Sequence, residues 1–320
     1  MAEWEVALER QVATWAFLRS PKGHAFIDNY ANDVRSKYPD QAYLLGDLRG
    51  KAEAVVGAAE PIFVSKEMCA LIEYAWEKFE PEPMREDDLF LPAGWAYLEK
   101  PLVTTDVWGK RMVHRAIAWH TGTDGGRSGV HVMTFAGPDD EAGRDQYFDD
   151  LSAEDKARTR AFFGRALALG HATPIVFGDD PGDKDVPTFA DDYGDRPTDD
   201  TVRQVSMDFH GYLQVLWRMM AQRVAVGMRV QASRASRRQN EREGWRENYI
   251  TVVTLRRPKN DGDASHGSVE WSQRWIVSGH WRWQPYGDGT HRQIWIAPYV
   301  KGPDDKPLIV RGARIFKFAR

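Results

Sequence analysis

The chain has 320 residues, of which 42% are hydrophobic, 12% aromatic and 28% charged, and its formal net charge is −4. That composition suits a folded globular protein of one large or two ordinary domains, and it excludes collagen-like, low-complexity and wholly disordered chains. A single cysteine, Cys69, cannot form an internal disulfide, and no run reaches the ~18 apolar residues of a membrane helix, so a reducing, cytoplasmic setting is expected.

The first 80 residues read as helices. Trp4, Leu8, Trp15 and Leu18 recur at helical spacing from the start of the chain. The opening MAEWEVALER has acidic residues and no apolar core, unlike a signal peptide. A second helix is predicted over 23–37, ending before Pro39, and a third over 42–58. A fourth, over 65–79, opens on Ser65 with half a capping box, and it carries Cys69 in an apolar stretch as a buried, inert thiol.

Residues 81–178 form a mixed region. Strands are predicted over 94–102, 111–121 and 129–136, the last two joined by the Gly- and Asp-rich turn TGTDGGRSG. The turn lacks the Lys-Ser/Thr ending of a phosphate-binding loop. A helix over 151–169, capped by Ser152 and closed by Gly170, leads into the strand-like HATPIVFG. The Asp-rich tract 179–200 reads as a loop or linker.

The last part, 201–320, opens with a long helix. Val205, Phe209, Tyr212, Leu216, Met219, Arg223, Val226 and Val230 recur in steps of four and three, the pattern of a core face or a homodimer seam. Its end is basic: Arg229, Arg234, Arg237, Arg238, Arg242 and Arg246 fall within 18 residues. Strands over 249–257, 269–284, 292–298 and 308–318 then predict an antiparallel sheet. The fold class expected is α+β: N-terminal helices, a mixed middle sheet, and a long helix followed by a C-terminal antiparallel sheet.

Charge divides the chain. Residues 1–200 carry a net charge of −15 and residues 201–320 a net of +11. Such a split suits either a polyanionic partner for the second half or two halves that face each other. The arginine run, beside tryptophan, suits contact with a nucleic-acid backbone, and Arg292 extends the set.

In residues 278–286, strand alternation puts Ser278, His280, Arg282, Gln284 and Tyr286 on one side and indoles on the other, the indole side expected to pack on the long helix. If the following turn brings His291 alongside, then His280, His291, Arg282 and Tyr286 have the chemistry of a metal-independent ribonuclease. One imidazole would take a 2′-OH proton, the other would protonate the leaving oxygen, and arginine would stabilise the phosphorane charge. The alternative is a solvated strand face. No Cys-x-x-Cys or His-Glu-x-x-His motif is present, so neither metal nor cofactor is expected, and His114, His120 and His131 are taken as ordinary strand residues.

The segment SGHWRWQPYGDGTHRQIWIAPYVKGPDDKPL resembles the C-terminal signature of a family of actinobacterial and actinophage proteins without assigned function, and EPEPMREDDL resembles another piece of it. The resemblance runs from about residue 80 onward. It implies a phage or mobile-element context, in which toxins and host-directed proteins are common, and it transfers no mechanism. The helix-then-sheet layout is loosely similar to RelE-like ribonuclease toxins, a likeness of fold alone. Two functions follow as expectations: interaction with nucleic acid, RNA before DNA, with ribonuclease or toxin activity as an extension; or a non-enzymatic protein that binds a host protein.

Overall fold

A computed structural model of the chain describes residues 2–37, 47–124, 126–137, 150–181, 197–222, 225–255, 274–287, 289–301 and 308–309. The fold is α+β, as predicted, and it divides into two compact units, Met1–Leu255 and Arg256–Arg320.

Amphipathic segments make up the start of the first unit: α1 (Glu3–Leu18), α2 (Pro21–Lys37) and α3 (Leu48–Ala58). Then come β1 (Glu60–Val64), α4 (Lys66–Trp76), β2 (Ala93–Thr105), β3 (Arg111–Asp124), β4 (Arg127–Ala136), α5 (Ala153–Phe163) and β5 (Ala168–Val176). The unit closes with α6 (Asp199–Ala221), β6 (Ala225–Gln231), α7 (Arg234–Arg242) and β7 (Tyr249–Leu255). Seven strands pair in the order β5-β4-β3-β2-β1-β7-β6. β1 runs parallel to both β2 and β7, with α4 as the crossover between β1 and β2, and the other pairs are antiparallel.

Helices cover both faces of this sheet. Leu18, Ile27, Ala52 and Val56 of α1–α3 pack on Trp95, Ala116, Ala118 and Phe135. On α1, Ala7, Leu8 and Val12 meet Phe63, Ile250 and Val252. The other face takes α4 and α6, where Trp217 meets Trp119 at 5.5 Å between ring centroids and Tyr212 meets Trp76 at 5.5 Å. Gly94 is required here, because a Cβ at that position would overlap the Trp119 ring. Ser65 caps α4 and Ser152 caps α5 by accepting from Met68 N–H and Asp155 N–H, as expected from sequence. Cys69 is fully buried, and burial pushes its thiol up to about 12.

Several elements differ from expectation. β1 was not foreseen: EPIFV is too short to show a period, and it is buried on both faces as a parallel strand. The helix after Ser152 ends at Gly164, and the chain is already in β5 by Ala168. The long helix ends at Ala221, and 225–231 is a strand. Val226 and Val230 fit a helical step of four and a strand step of two equally, and pairing with β7 decides between them. Residues 210–220 of α6 are all buried within the unit, so of the two readings of that face, core or homodimer seam, this stretch is core. β6 and β7 belong to the large sheet rather than to a C-terminal domain, so strands from both sides of the 179–200 tract share one sheet. Residues 182–196 of that tract, and Arg223, lie outside the described residues.

In the second unit, β8 (Arg274–Val277) pairs with β11 (Tyr299–Lys301) and β12 (Leu308–Ile309), and β9 (His280–Pro285) pairs with β10 (His291–Ile296) as an antiparallel hairpin. The strand expected to run continuously through 278 breaks between Val277 and His280.

Candidate nucleic-acid interface

The arginine run does not lie along one helix end. Arg229 is on edge strand β6, Arg234, Arg237, Arg238 and Arg242 are on α7, and Arg246 is in the turn before β7. Local chemistry nevertheless folds these pieces onto one another. Ser233 caps α7 by accepting from Ser236 N–H, and its own N–H donates to Glu5. Ser236 and Asn240 point into the protein, so Arg234, Arg238 and Arg242, four residues apart, stay exposed. Gly244 ends the helix at φ +79°, a conformation that suits glycine, and Trp245 N–H donates to Asn240 C=O at 2.9 Å. Trp245 is buried edge-on against Trp15 of α1, 5.3 Å between centroids, and that anchor swings Arg246 and β7 back beside α7.

The strand register supplies the floor. Gln231 is opposite Tyr249 and Arg229 opposite Thr251, so these four share one face of the β6–β7 ladder. Arg229, Gln231, Arg237, Arg246, Glu247, Asn248 and Tyr249 line a cleft of about 520 Å³, within the range of small-ligand sites. The Arg229 guanidinium lies 4.9 Å from the Tyr249 ring centroid, and Gln231 Nε2–H donates to Tyr249 Oη at 3.3 Å.

One carboxylate lines this cleft, and it is engaged. Glu247 Oε1 accepts from Asn248 N–H and Tyr249 N–H, each at 3.2 Å, and from Arg229 Nη2 at 3.5 Å. Among the described residues, Arg234, Arg237, Arg238, Arg242 and Arg246 make no ion pair. Guanidiniums gathered this closely repel one another, a cost that a bound polyanion reduces. The sequence reading named the arginines. It missed Gln231, Asn248 and Tyr249, which only the β6–β7 register brings to them.

The proposed ribonuclease constellation does not assemble. In the β9–β10 hairpin, His280 is opposite Ile296 and His291 opposite Pro285, so the two histidines sit at opposite ends, about 17 Å apart along the strands at ~3.4 Å per residue. They also face opposite ways. His280 shares a side with Arg282, Gln284 and Arg292, whereas His291 shares the side of Trp281, Trp283 and Trp295. A single phosphodiester cannot reach both imidazoles. Arg282 donates to Gln284 Oε1 at 2.6 Å, and Arg292 lies 5.6 Å from the Tyr286 ring centroid. On the indole side, Trp281 meets Trp295 of its own hairpin at 5.4 Å, and Trp283 is exposed.

His120 and His131 are direct cross-strand partners. His114 is buried and shares a 2.8 Å hydrogen bond with Thr104. Among the described residues no group of three or more His, Cys, Asp or Glu is placed to hold a metal ion, and no helix is long and apolar enough to cross a membrane. In comparison with known proteins, the chain matches no family model and no curated protein.

Proposed function

We propose that this protein binds nucleic acid, RNA before DNA, through the arginine surface of α7 and the adjoining cleft. The observation that carries the reading is a set of five arginines with no carboxylate partner among the described residues, beside a cleft whose one acid is already engaged. Phosphate backbones supply regularly spaced charge to such a surface, and RNA more often offers unpaired bases to an aromatic group such as Tyr249. The resemblance of the C-terminal segment to actinobacterial and actinophage proteins supports a phage or mobile-element setting for this binding.

The test is a filter-binding titration of labelled single-stranded RNA across salt. Each phosphate contact contributes roughly 0.7 to the slope of log affinity against log salt for a single strand. Changing Arg234, Arg237 and Arg238 together to Ala should therefore flatten the slope by about 2 and weaken binding most at low salt. Binding that ignores both salt and the triple change would sink the reading.

One observation favours the competing class, a protein that binds another protein. β6 is an edge strand, and it exposes Val226 and Met228, at 38% and 60%. A partner adding a strand there would be insensitive to salt and blocked by Gly227→Pro.

A further inference from the structure

The cleft holds more than charge. Tyr249 lines it with 40% of its surface exposed. The ring is held in two ways: the Arg229 guanidinium lies 4.9 Å from its centroid, and Gln231 donates to its hydroxyl at 3.3 Å. Asn248 is fixed as well, since its Nδ2–H donates to Arg246 C=O at 3.2 Å and its Oδ1 accepts from Asn240 at 3.5 Å. The aromatic surface is thus set in place before any ligand arrives, with Arg237 and Arg246, which make no ion pair among the described residues, on the same walls. Arg229 is not equivalent to these two, because Glu247 and Tyr249 already engage it.

An aromatic face held in place and flanked by the Arg237 and Arg246 guanidiniums, in a cleft of about 520 Å³, matches one nucleotide whose base is unstacked from its neighbours. A duplex cannot use the aromatic face, since its bases stay inside the stack and it presents only phosphates and groove edges. We infer that the cleft takes a single unpaired nucleotide, its base stacked on Tyr249 and its phosphate held by Arg237 and Arg246, so that the protein selects single strands over duplexes. This inference rests on the nucleic-acid reading and adds strand selectivity to it. The outer arginines of α7 supply strength without selectivity, and the cleft supplies selectivity.

The experiment uses the full chain and three probes of equal length: an oligouridylate strand, the same strand with abasic sites throughout, and a duplex. Wild-type protein should bind the oligouridylate at least about tenfold more tightly than the abasic strand, the usual worth of one base–aromatic stack. Tyr249→Leu should erase that difference while leaving affinity for the abasic strand and the duplex within about twofold, and Tyr249→Phe should retain it. Leucine keeps an apolar side chain on the strand, and an unchanged thermal transition shows that the fold persists. Tyr249→Phe also controls for any effect of lost bulk. Equal affinity of wild type for all three probes, or an equal loss on all three in Tyr249→Leu, overturns the inference and leaves salt-dependent phosphate binding standing. Absence of salt-dependent binding to every probe overturns both.

Discussion

Arg218 offers the most direct test of how the first unit is held together. It lies on α6, 9% exposed, and its Nη2 is 2.7 Å from both Glu82 Oε1 and Asp88 Oδ1, while its Nε–H donates to Asp88 Oδ1 at 2.9 Å. Gln214, one turn earlier, donates to Glu82 C=O at 2.8 Å and accepts from Glu82 N–H. The stretch 79–88 is therefore clamped to α6 through the Arg218 guanidinium and the Gln214 amide. Replacing Arg218 by Met keeps most of the volume and strands two carboxylates that are themselves 18% and 9% exposed. Breaking a buried pair by removing one partner costs about 3–5 kcal/mol, a large share of the ~5–15 kcal/mol of a typical domain. Removing all three charges, as Glu82→Gln, Asp88→Asn and Arg218→Met together, leaves no uncompensated ion, and the loss should fall below about 2 kcal/mol. Arg218→Lys should lie between, because an ammonium keeps the charge and loses the fork. The assay is urea unfolding followed by tryptophan fluorescence, with Trp217 buried against Trp119 one residue from the clamp. A loss under about 1 kcal/mol for Arg218→Met, at unchanged denaturant slope, or a triple variant less stable than the single one, would refute this account.

Other expectations are as concrete. Burial, with His171 adding to it, holds the buried His114 down to about 3 from an ordinary 6.5. The unfolded chain therefore takes up this proton near pH 6.5 and the folded one does not, so stability falls as pH drops below that value, by up to ~1.4 kcal/mol per pH unit. His114→Gln should flatten that slope between pH 6.5 and 4 in urea midpoints, and a variant that keeps the full slope would show another group responsible. Gly244→Ala meets only an ordinary contact, with Trp15 Cη2 at 4.0 Å, but not an easy backbone, since φ is +79°, and should cost about 1–2 kcal/mol in the same assay. It should also weaken RNA binding, because the turn it disturbs carries Arg246 and leads into Tyr249. His280→Ala and His291→Ala should each leave RNA affinity within about twofold, and incubation of wild type with labelled RNA in EDTA should release no 2′,3′-cyclic phosphate ends.

What could be read from the residues was local. The caps of α4 and α5, the β3–β4 hairpin, the buried Cys69 and the basic run all came from patterns within a few positions. Pairing partners were the hidden part. Nothing in EPIFV announces a central strand, because a strand buried on both faces has no alternation. Val226 and Val230 extended a helical rhythm that their pairing with Thr254 and Ile250 overrode. The same gap misled the reading of the hairpin. Alternation along β9 correctly grouped His280 with Arg282, but the face of His291 depends on the turn, and the register sets it opposite Pro285. At the arginine surface the charges were visible in sequence, and the aromatic ring that shares their cleft was not, since Tyr249 joins Arg229 only across a ladder.

The parallel pairing of β1 with β7 joins Ile62 to Thr251. On a ribosome adding about 5–20 residues per second, some 190 residues separate their synthesis, an interval on the order of 10–40 s. Throughout that interval β1 can have β2 on one side but not β7 on the other, leaving a row of amides and carbonyls open while the nascent chain lengthens. Phe63, whose side chain ends up against Ile250 and Val252, is left uncovered on that flank for the same time. Completion of the sheet thus waits on the residues that also build the arginine cleft. The cleft gains its aromatic wall, Tyr249, and the sheet its last core strand in one late step of biosynthesis, so a truncated product ending before β7 keeps the arginines of α7 and lacks both.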